Sequence, residues 1–114
     1  MKTVLAVLVL ATVSVAAEPA AITGYISDNK CALAGAKARS AAEWIKPAAF
    51  EKCVKECVKD GSEAVFVTED NKILKFDAGS IGRITPYLGR KVSVTGKSDG
   101  STLTVTSVTA LKMP

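Results

Sequence analysis

The chain has 114 residues, a length suited to one small domain, with 15 basic side chains, 11 acidic side chains and no histidine. Without histidine, the Ser-His-Asp and Cys-His catalytic arrangements are excluded, and no imidazole is present to bind a metal. The basic residues are interspersed with acidic ones, which argues against a surface built to bind nucleic acid.

The N-terminal segment 1–17 has the pattern of a cleavable signal peptide. Lys2 supplies a short positive start, an uncharged apolar run follows, and small residues fit cleavage after Ala16 or Ala17. The run is shorter than the ~20 residues that span a bilayer. The sequence therefore predicts an exported protein, periplasmic or extracellular, whose single domain 18–114 has no membrane span after cleavage.

A strand and a well-marked helix are predicted next. Residues 22–27 alternate between apolar and polar, as in a strand, and the Ala- and Gly-rich segment 28–39 is interpreted as a loop. Ser40 and Glu43 have the spacing of a capping box. A helix over about 47–60 follows, because apolar residues recur there at helical spacing. That apolar stripe consists of Phe50, Cys53, Val54, Cys57 and Val58.

Four later segments have the pattern of strands, and tight turns join the first two and the last two. These segments are 64–68, 73–76, 90–96 and 101–112. Residues 77–88 are expected to be irregular or short-helical. In the last of these segments, the apolar residues change from odd-numbered to even-numbered positions near Thr106 and Ser107. This change of face predicts a β-bulge. The fold class is therefore mainly β with one inserted helix between strands 1 and 2, an OB-fold-like five-stranded small barrel, with an α+β roll as the alternative.

The three cysteines are the chemically distinctive residues. In an oxidising compartment a disulfide is the ordinary expectation, and a bridge within one regular helix is unfavourable. We therefore expect Cys31 to pair with a helix cysteine, with Cys57 preferred on reach and Cys53 as the alternative. A disulfide that closes the loop between these cysteines stabilises the folded protein by on the order of 3 kcal/mol. The cysteine left over is expected to be a buried, inert side chain.

A soft-metal or redox site is the alternative use of the same residues. Cys53 and Cys57 have the Cys-x3-Cys spacing seen in some copper-handling periplasmic proteins, and with Cys31 they offer three thiolates for an ion such as Cu(I). Met113 is the only methionine outside the leader. The pair also lies towards the C-terminal end of its helix, where the dipole disfavours thiolates. These features place the metal site second to the disulfide.

Other kinds of site are not supported by residue patterns. Phe66 and Phe76 are interpreted as core residues rather than as platforms for nucleic-acid bases, and Trp44 as a buried residue beside the capping turn. No activated nucleophile or acid–base pair is visible, so an enzyme is not expected.

Three segments resemble an uncharacterised family of small exported bacterial proteins with an OB-fold-like, cysteine-containing domain. Residues 24–31 resemble its G-x-[IV]-x-D-x-x-C opening, residues 53–61 are similar to its second cysteine motif, and residues 89–96 to its closing hairpin. Family members often carry a histidine after the first cysteine, which this sequence lacks. The resemblance implies the architecture and no activity.

The sequence thus predicts a non-enzymatic exported domain, stabilised by one disulfide, that acts as a binding or structural module without a cofactor. Its ligand, partner and oligomeric state are not specified by the sequence.

Overall fold

The computed structural model describes residues 20–113 of the chain. This part contains five strands and four α-helices. The strands are β1 Ala20–Asp28, β2 Ala64–Thr68, β3 Ile73–Phe76, β4 Lys91–Asp99 and β5 Thr102–Ala110. The helices are α1 Asn29–Ala34, α2 Ala41–Trp44, α3 Pro47–Lys59 and α4 Ile81–Ile84. The predicted signal peptide, residues 1–17, lies outside the described residues.

The strands form a closed barrel in the order β1-β2-β3-β5-β4, with β4 paired back to β1. The β3–β5 pair is parallel and the others are antiparallel. This ring confirms the predicted OB-fold-like barrel. In the chain, α1, α2 and α3 follow β1 and precede β2. α4, flanked by two 3₁₀ turns, connects β3 to β4. Between residues 20 and 113 no helix combines the length and apolar character needed to cross a bilayer.

A β-bulge bends the last strand where the pattern predicts one. Thr95 is opposite Ser107 and Gly96 is opposite Val105, so Thr106 is the extra residue on β5. The Thr106 hydroxyl donates to the Thr95 carbonyl oxygen at 2.9 Å. An extra residue of this kind increases local twist, which helps a five-stranded sheet to close.

Aliphatic and aromatic side chains from all five strands fill the barrel. The apolar side chains of the barrel strands that are at most 6% exposed are Tyr25, which faces α3 on the outside, and Ile26, Val65, Phe66, Val67, Phe76, Val92, Val94, Leu103 and Val105. Phe66 and Phe76 meet edge to face, with ring centroids 6.2 Å apart, which confirms them as core residues. The buried Ser80 hydroxyl accepts from the Val105 amide and ties the connector to β5.

The interpretation of residues 28–39 as a loop is wrong for 28–34, because α1 begins directly after β1, and is confirmed for 35–39. Asp28 Oδ2 accepts hydrogen bonds from the backbone amides of Lys30 and Cys31 at 2.9 and 3.2 Å, which starts the helix. The signal was a single N-cap residue in a segment too short to show helical periodicity.

The predicted capping box at α2 was also wrong. The Ser40 side chain makes no capping hydrogen bond, and Glu43 Oε2 accepts from the Arg39 amide at 3.0 Å. The Glu43 carboxylate therefore accepts from the Arg39 amide, whereas in a capping box it would accept from the Ser40 amide.

Helix α3 matches the predicted helix and packs on the outside of β1. Phe50 and Val54 are its buried residues, and the Phe50 ring meets Tyr25 edge to face at 6.1 Å. β1 is therefore covered on both faces, by the barrel core and by α3. This explains why residues 24–28 are all buried rather than alternating.

Candidate functional site

The three cysteines meet at one place on the outside of the barrel. Cys31 lies in the first turn of α1, and Cys53 and Cys57 lie one turn apart on α3. The Sγ atoms of Cys31 and Cys53 are 2.9 Å apart, and all three Sγ atoms lie within 4.8 Å of one another. The fold thus brings Cys31 of α1 into contact with the cysteines of α3, which lie more than twenty residues later in the chain.

Asp28 positions Cys31 within this cluster. Besides capping α1, its Oδ2 accepts from the Ser62 hydroxyl at 2.8 Å, and the Asn29 amide donates to the Glu63 carbonyl oxygen at 2.7 Å. These contacts attach the start of α1 to the segment that leads into β2. Cys31 is consequently fixed relative to the barrel on one side and to α3 on the other.

The Asp28 side chain is a fully buried carboxylate. Burial acts to raise its pKa, but hydrogen bonds from Cys31, Ser62 and two backbone amides outweigh it and hold the pKa below the ordinary value. Its Oδ1 atom has no hydrogen-bond partner within the part of the chain that the structure describes. Among the described residues, the side-chain ion pairs are Lys55–Glu51 and Lys72–Asp70, so none of them neutralises Asp28. A buried negative charge therefore lies beside the sulfur cluster.

This charge acts on the thiols. The pKa of the Cys31 thiol is raised far above its ordinary value, first by burial, then by its hydrogen bond with Asp28 and by Cys53. The pKa of Cys57 is also raised, by burial, the charge of Asp28 and Cys53. Nucleophilic cysteines in enzymes have lowered pKa values, so Cys31 and Cys57 are not activated in this way.

Exposure differs among the three cysteines. Cys53 is exposed, and Cys31 and Cys57 are half-buried. The prediction that the cysteine left over is buried is therefore wrong, because the buried residues of α3 are Phe50 and Val54; that this cysteine is inert stays a prediction.

An apolar cavity of about 260 Å³ opens beside Cys31 and Cys53. Its other lining residues are Ala34, Trp44, Lys46, Ala49 and Phe50. Trp44 is half-buried rather than buried as expected. Its Nε1 donates to Asn71 Oδ1 at 2.8 Å, and its ring meets Phe50 edge to face at 5.7 Å. A separate cavity of about 400 Å³ borders Cys57 and Ser62.

The hairpin between β2 and β3 holds this cavity wall in place. Asn71, at a φ of 65°, donates from Nδ2 to the carbonyl oxygens of Gly35 and Ala38. A Cβ atom on Gly35 would lie 2.2 Å from the Trp44 ring, so glycine is required for this approach. Asn71 is predicted from sequence only as a turn residue, and its role in the wall has no local signal.

The cysteines carry no disulfide in this structure, and the predicted bridge between Cys31 and Cys57, with Cys53 as alternative, stays a prediction. The 2.9 Å contact brings Cys53 within reach of Cys31, so the alternative pairing is compatible with the geometry. The sequence identified all three cysteines, and Asp28 only as the aspartate of the G-x-[IV]-x-D-x-x-C motif, without a role; Ser62 was not identified, since a loop serine is a common feature without a ligand.

Comparison with family models, with curated proteins and with solved structures gives no match for this chain. The resemblance to the exported bacterial family therefore rests on the motifs alone.

Proposed function

We propose that the protein binds a soft metal ion, Cu(I) or an ion of similar chemistry, through the thiolates of Cys31, Cys53 and Cys57. The observation that carries the proposal is the convergence of the three Sγ atoms within 4.8 Å of one another. With metal–sulfur bonds of about 2.3 Å, a trigonal or tetrahedral site separates its sulfur ligands by about 4 Å. The cluster has this scale, and to hold an ion the Sγ atoms of Cys31 and Cys53 would move apart by about 1 Å from their 2.9 Å separation.

The chemistry of the ligand set supports Cu(I) over Zn²⁺. Thiolates select soft ions, and Cu(I) is satisfied by two or three sulfur ligands. Structural Zn²⁺ sites are four-coordinate and closed. The cluster offers three cysteines, and the chain has no histidine to complete a fourth position.

The buried charge of Asp28 also supports a cation at this place. Buried charges are ordinarily paired or coordinate metals, and Asp28 has no cationic partner among residues 20–113. Asp28 attracts the cation but repels the thiolates that hold it, so its contribution to the site is the position that it gives to Cys31, in the manner of an outer-shell carboxylate.

Because the leader predicts export, the ion would be met in the periplasm or outside the cell. The raised pKa values of Cys31 and Cys57 favour a binding protein over an enzyme with a thiolate nucleophile.

A titration of the reduced protein with Cu(I), in competition with a coloured Cu(I) chelator under anaerobic conditions, tests the proposal. We expect one Cu(I) per chain, with affinity reduced by more than about 100-fold in Cys31→Ser and Cys57→Ser, beyond the range for loss of an outer-shell partner. Lys52→Ala, next to Cys53 on the exposed side of α3, is the matched control and should bind as the wild type does. Equal affinity in all these variants would refute the three-thiolate site.

The second candidate is the exported binding or structural domain stabilised by a permanent disulfide. The 2.9 Å distance between Cys31 and Cys53 favours it, since closure to a bond of about 2.05 Å needs only a small approach. A Cu(I) titration after full reduction separates the candidates: the metal site binds one Cu(I) per chain once reduced, whereas a purely structural bridge leaves a reduced protein that does not bind Cu(I) tightly.

A further inference from the structure

The three cysteines are divided between two cavities. Cys31 and Cys53 line the apolar cavity of about 260 Å³, whereas Cys57 borders the cavity of about 400 Å³. The two cysteines whose sulfur atoms are 2.9 Å apart are therefore the two that one small apolar molecule can reach together.

The apolar cavity is held open by its walls. Trp44 is anchored by its hydrogen bond to Asn71 and by edge-to-face contact with Phe50, so neither ring can collapse onto the sulfur atoms without losing these contacts. The small side chains Ala34 and Ala49 also line the cavity. The space accommodates a few heavy atoms with an apolar body, directly against two thiols.

We propose that a small organic disulfide enters this cavity and converts Cys31 and Cys53 to a protein disulfide, and that this bond excludes the soft metal ion. The inference rests on the proposed function for its metal part and names the regulation of that site. The disulfide and the metal site are then alternative states of the same three sulfur atoms, because oxidation leaves Cys57 as the single remaining thiolate ligand.

The exchange balances in two steps. Cys53, which is exposed, attacks one sulfur of the disulfide R–S–S–R as its thiolate, forms a mixed disulfide and releases the first RS⁻. Because Cys31 is not activated as a thiolate, the released RS⁻ first takes its proton; Cys31 then attacks the Cys53 sulfur, forms the Cys31–Cys53 bond and releases the second RS⁻. Two protein thiols are oxidised, R–S–S–R is reduced by two electrons, and the two thiol protons end on the two RSH products.

The test uses bis(2-hydroxyethyl) disulfide as the probe and the reduced, metal-free protein. After reaction, free thiols are alkylated and the peptides mapped by mass spectrometry. We expect a Cys31–Cys53 bond with Cys57 alkylated. A dominant Cys31–Cys57 bond would overturn the assignment of the pair.

Two matched variants test the cavity. Ala49→Phe fills it, whereas Ala48→Phe places the same bulk on the neighbouring exposed position of α3, outside this cavity. Oxidation of Ala49→Phe by the probe should slow by about tenfold, the scale on which a misplaced reactant loses rate, and Ala48→Phe should react as wild type. Equal rates in the two variants would show that the cavity does not admit the probe.

A separate experiment tests whether the Cys31–Cys53 bond excludes the metal ion. Cu(I) bound by the reduced protein should be lost to a coloured chelator once the Cys31–Cys53 bond has formed, and regained on reduction. Retention of Cu(I) by the oxidised protein would overturn the exclusion. If the reduced protein binds no Cu(I), the proposed function fails, while the peptide map and the two phenylalanine variants still decide the exchange.

Discussion

The barrel and the α1–α3 insertion between β1 and β2 are built on different principles. The barrel is closed by strand pairing all the way round and filled by side chains that are almost completely buried. Within the insertion, α1 and α2 each bury one side chain, and α3 buries two. Packing therefore determines the barrel, whereas the position of the insertion depends on a few anchors: Phe50, Val54, Asp28 and the cysteine cluster. A region held by few contacts is one in which a bond or an ion at the cluster has a large effect.

The largest effect is expected where the two regions meet. Val54 is fully buried between α3 and the barrel, so Val54→Asp places an unpaired charge there and should prevent stable folding. Phe50→Ala should cost about 3–5 kcal/mol through the cavity that it leaves. Thermal and urea unfolding measure both.

Lys52→Ala and Lys55→Ala, on the exposed side of α3, are the controls for these variants and should unfold close to wild type. If the two pairs lost stability to the same extent, the buried face assigned to α3 would be wrong.

The next effect separates the regions by function. Cys31→Ser should abolish tight Cu(I) binding while the reduced, metal-free protein unfolds nearly as the wild type does, because Cys31 contributes little to the barrel core. In the oxidised protein the same change should cost roughly 2–5 kcal/mol, the range for loss of a bridge from a small secreted domain. Urea unfolding in the presence and absence of reductant measures the two states. A large cost under reducing conditions would show that Cys31 is a packing residue.

Metal affinity should rise steeply with pH. The pKa values of Cys31 and Cys57 are raised, so near neutral pH both are protonated and Cu(I) must displace their protons. Release of one proton each from Cys31 and Cys57 increases the affinity by about two log units per pH unit, and release of fewer gives a smaller slope. Competition titrations between pH 6 and 8, with the chelator's own titration corrected, provide the slope. Affinity independent of pH would contradict binding through these thiols.

The smallest effect is expected from Asp28→Asn. Asparagine also caps helices, so α1 should be retained while the buried negative charge is removed. Cu(I) affinity near neutral pH should rise, by about tenfold for each unit by which the thiol pKa values fall, because the charge of Asp28 raises the pKa values of Cys31 and Cys57. Circular dichroism checks that the helices are kept. Unchanged affinity in a folded variant would show that the charge of Asp28 does not act on the thiols.

The difference between the two regions also explains what the sequence predicts. The barrel strands, the bulge at Thr106 and helix α3 have period-2 or period-3.6 patterns over enough residues to be recognised. The structure of the insertion is harder to predict from the sequence. α1 depends on the capping contact of one residue, and the loop before α2 is held by Asn71, which is 36 residues from its partner Gly35. The cysteines were identified as the chemical residues by type. Their convergence could not be predicted, because it depends on the attachment of α1 through Asp28 and Ser62.

X-ray absorption spectroscopy at the copper edge of the Cu(I)-loaded, reduced protein tests the central claim most directly. The account predicts a first shell of sulfur only, with three ligands at about 2.3 Å, the length of a metal–thiolate bond. It also predicts loss of this shell in Cys31→Ser and its retention in Lys52→Ala. A first shell of nitrogen or oxygen, or a sulfur shell unchanged in Cys31→Ser, would contradict a metal site formed by Cys31, Cys53 and Cys57.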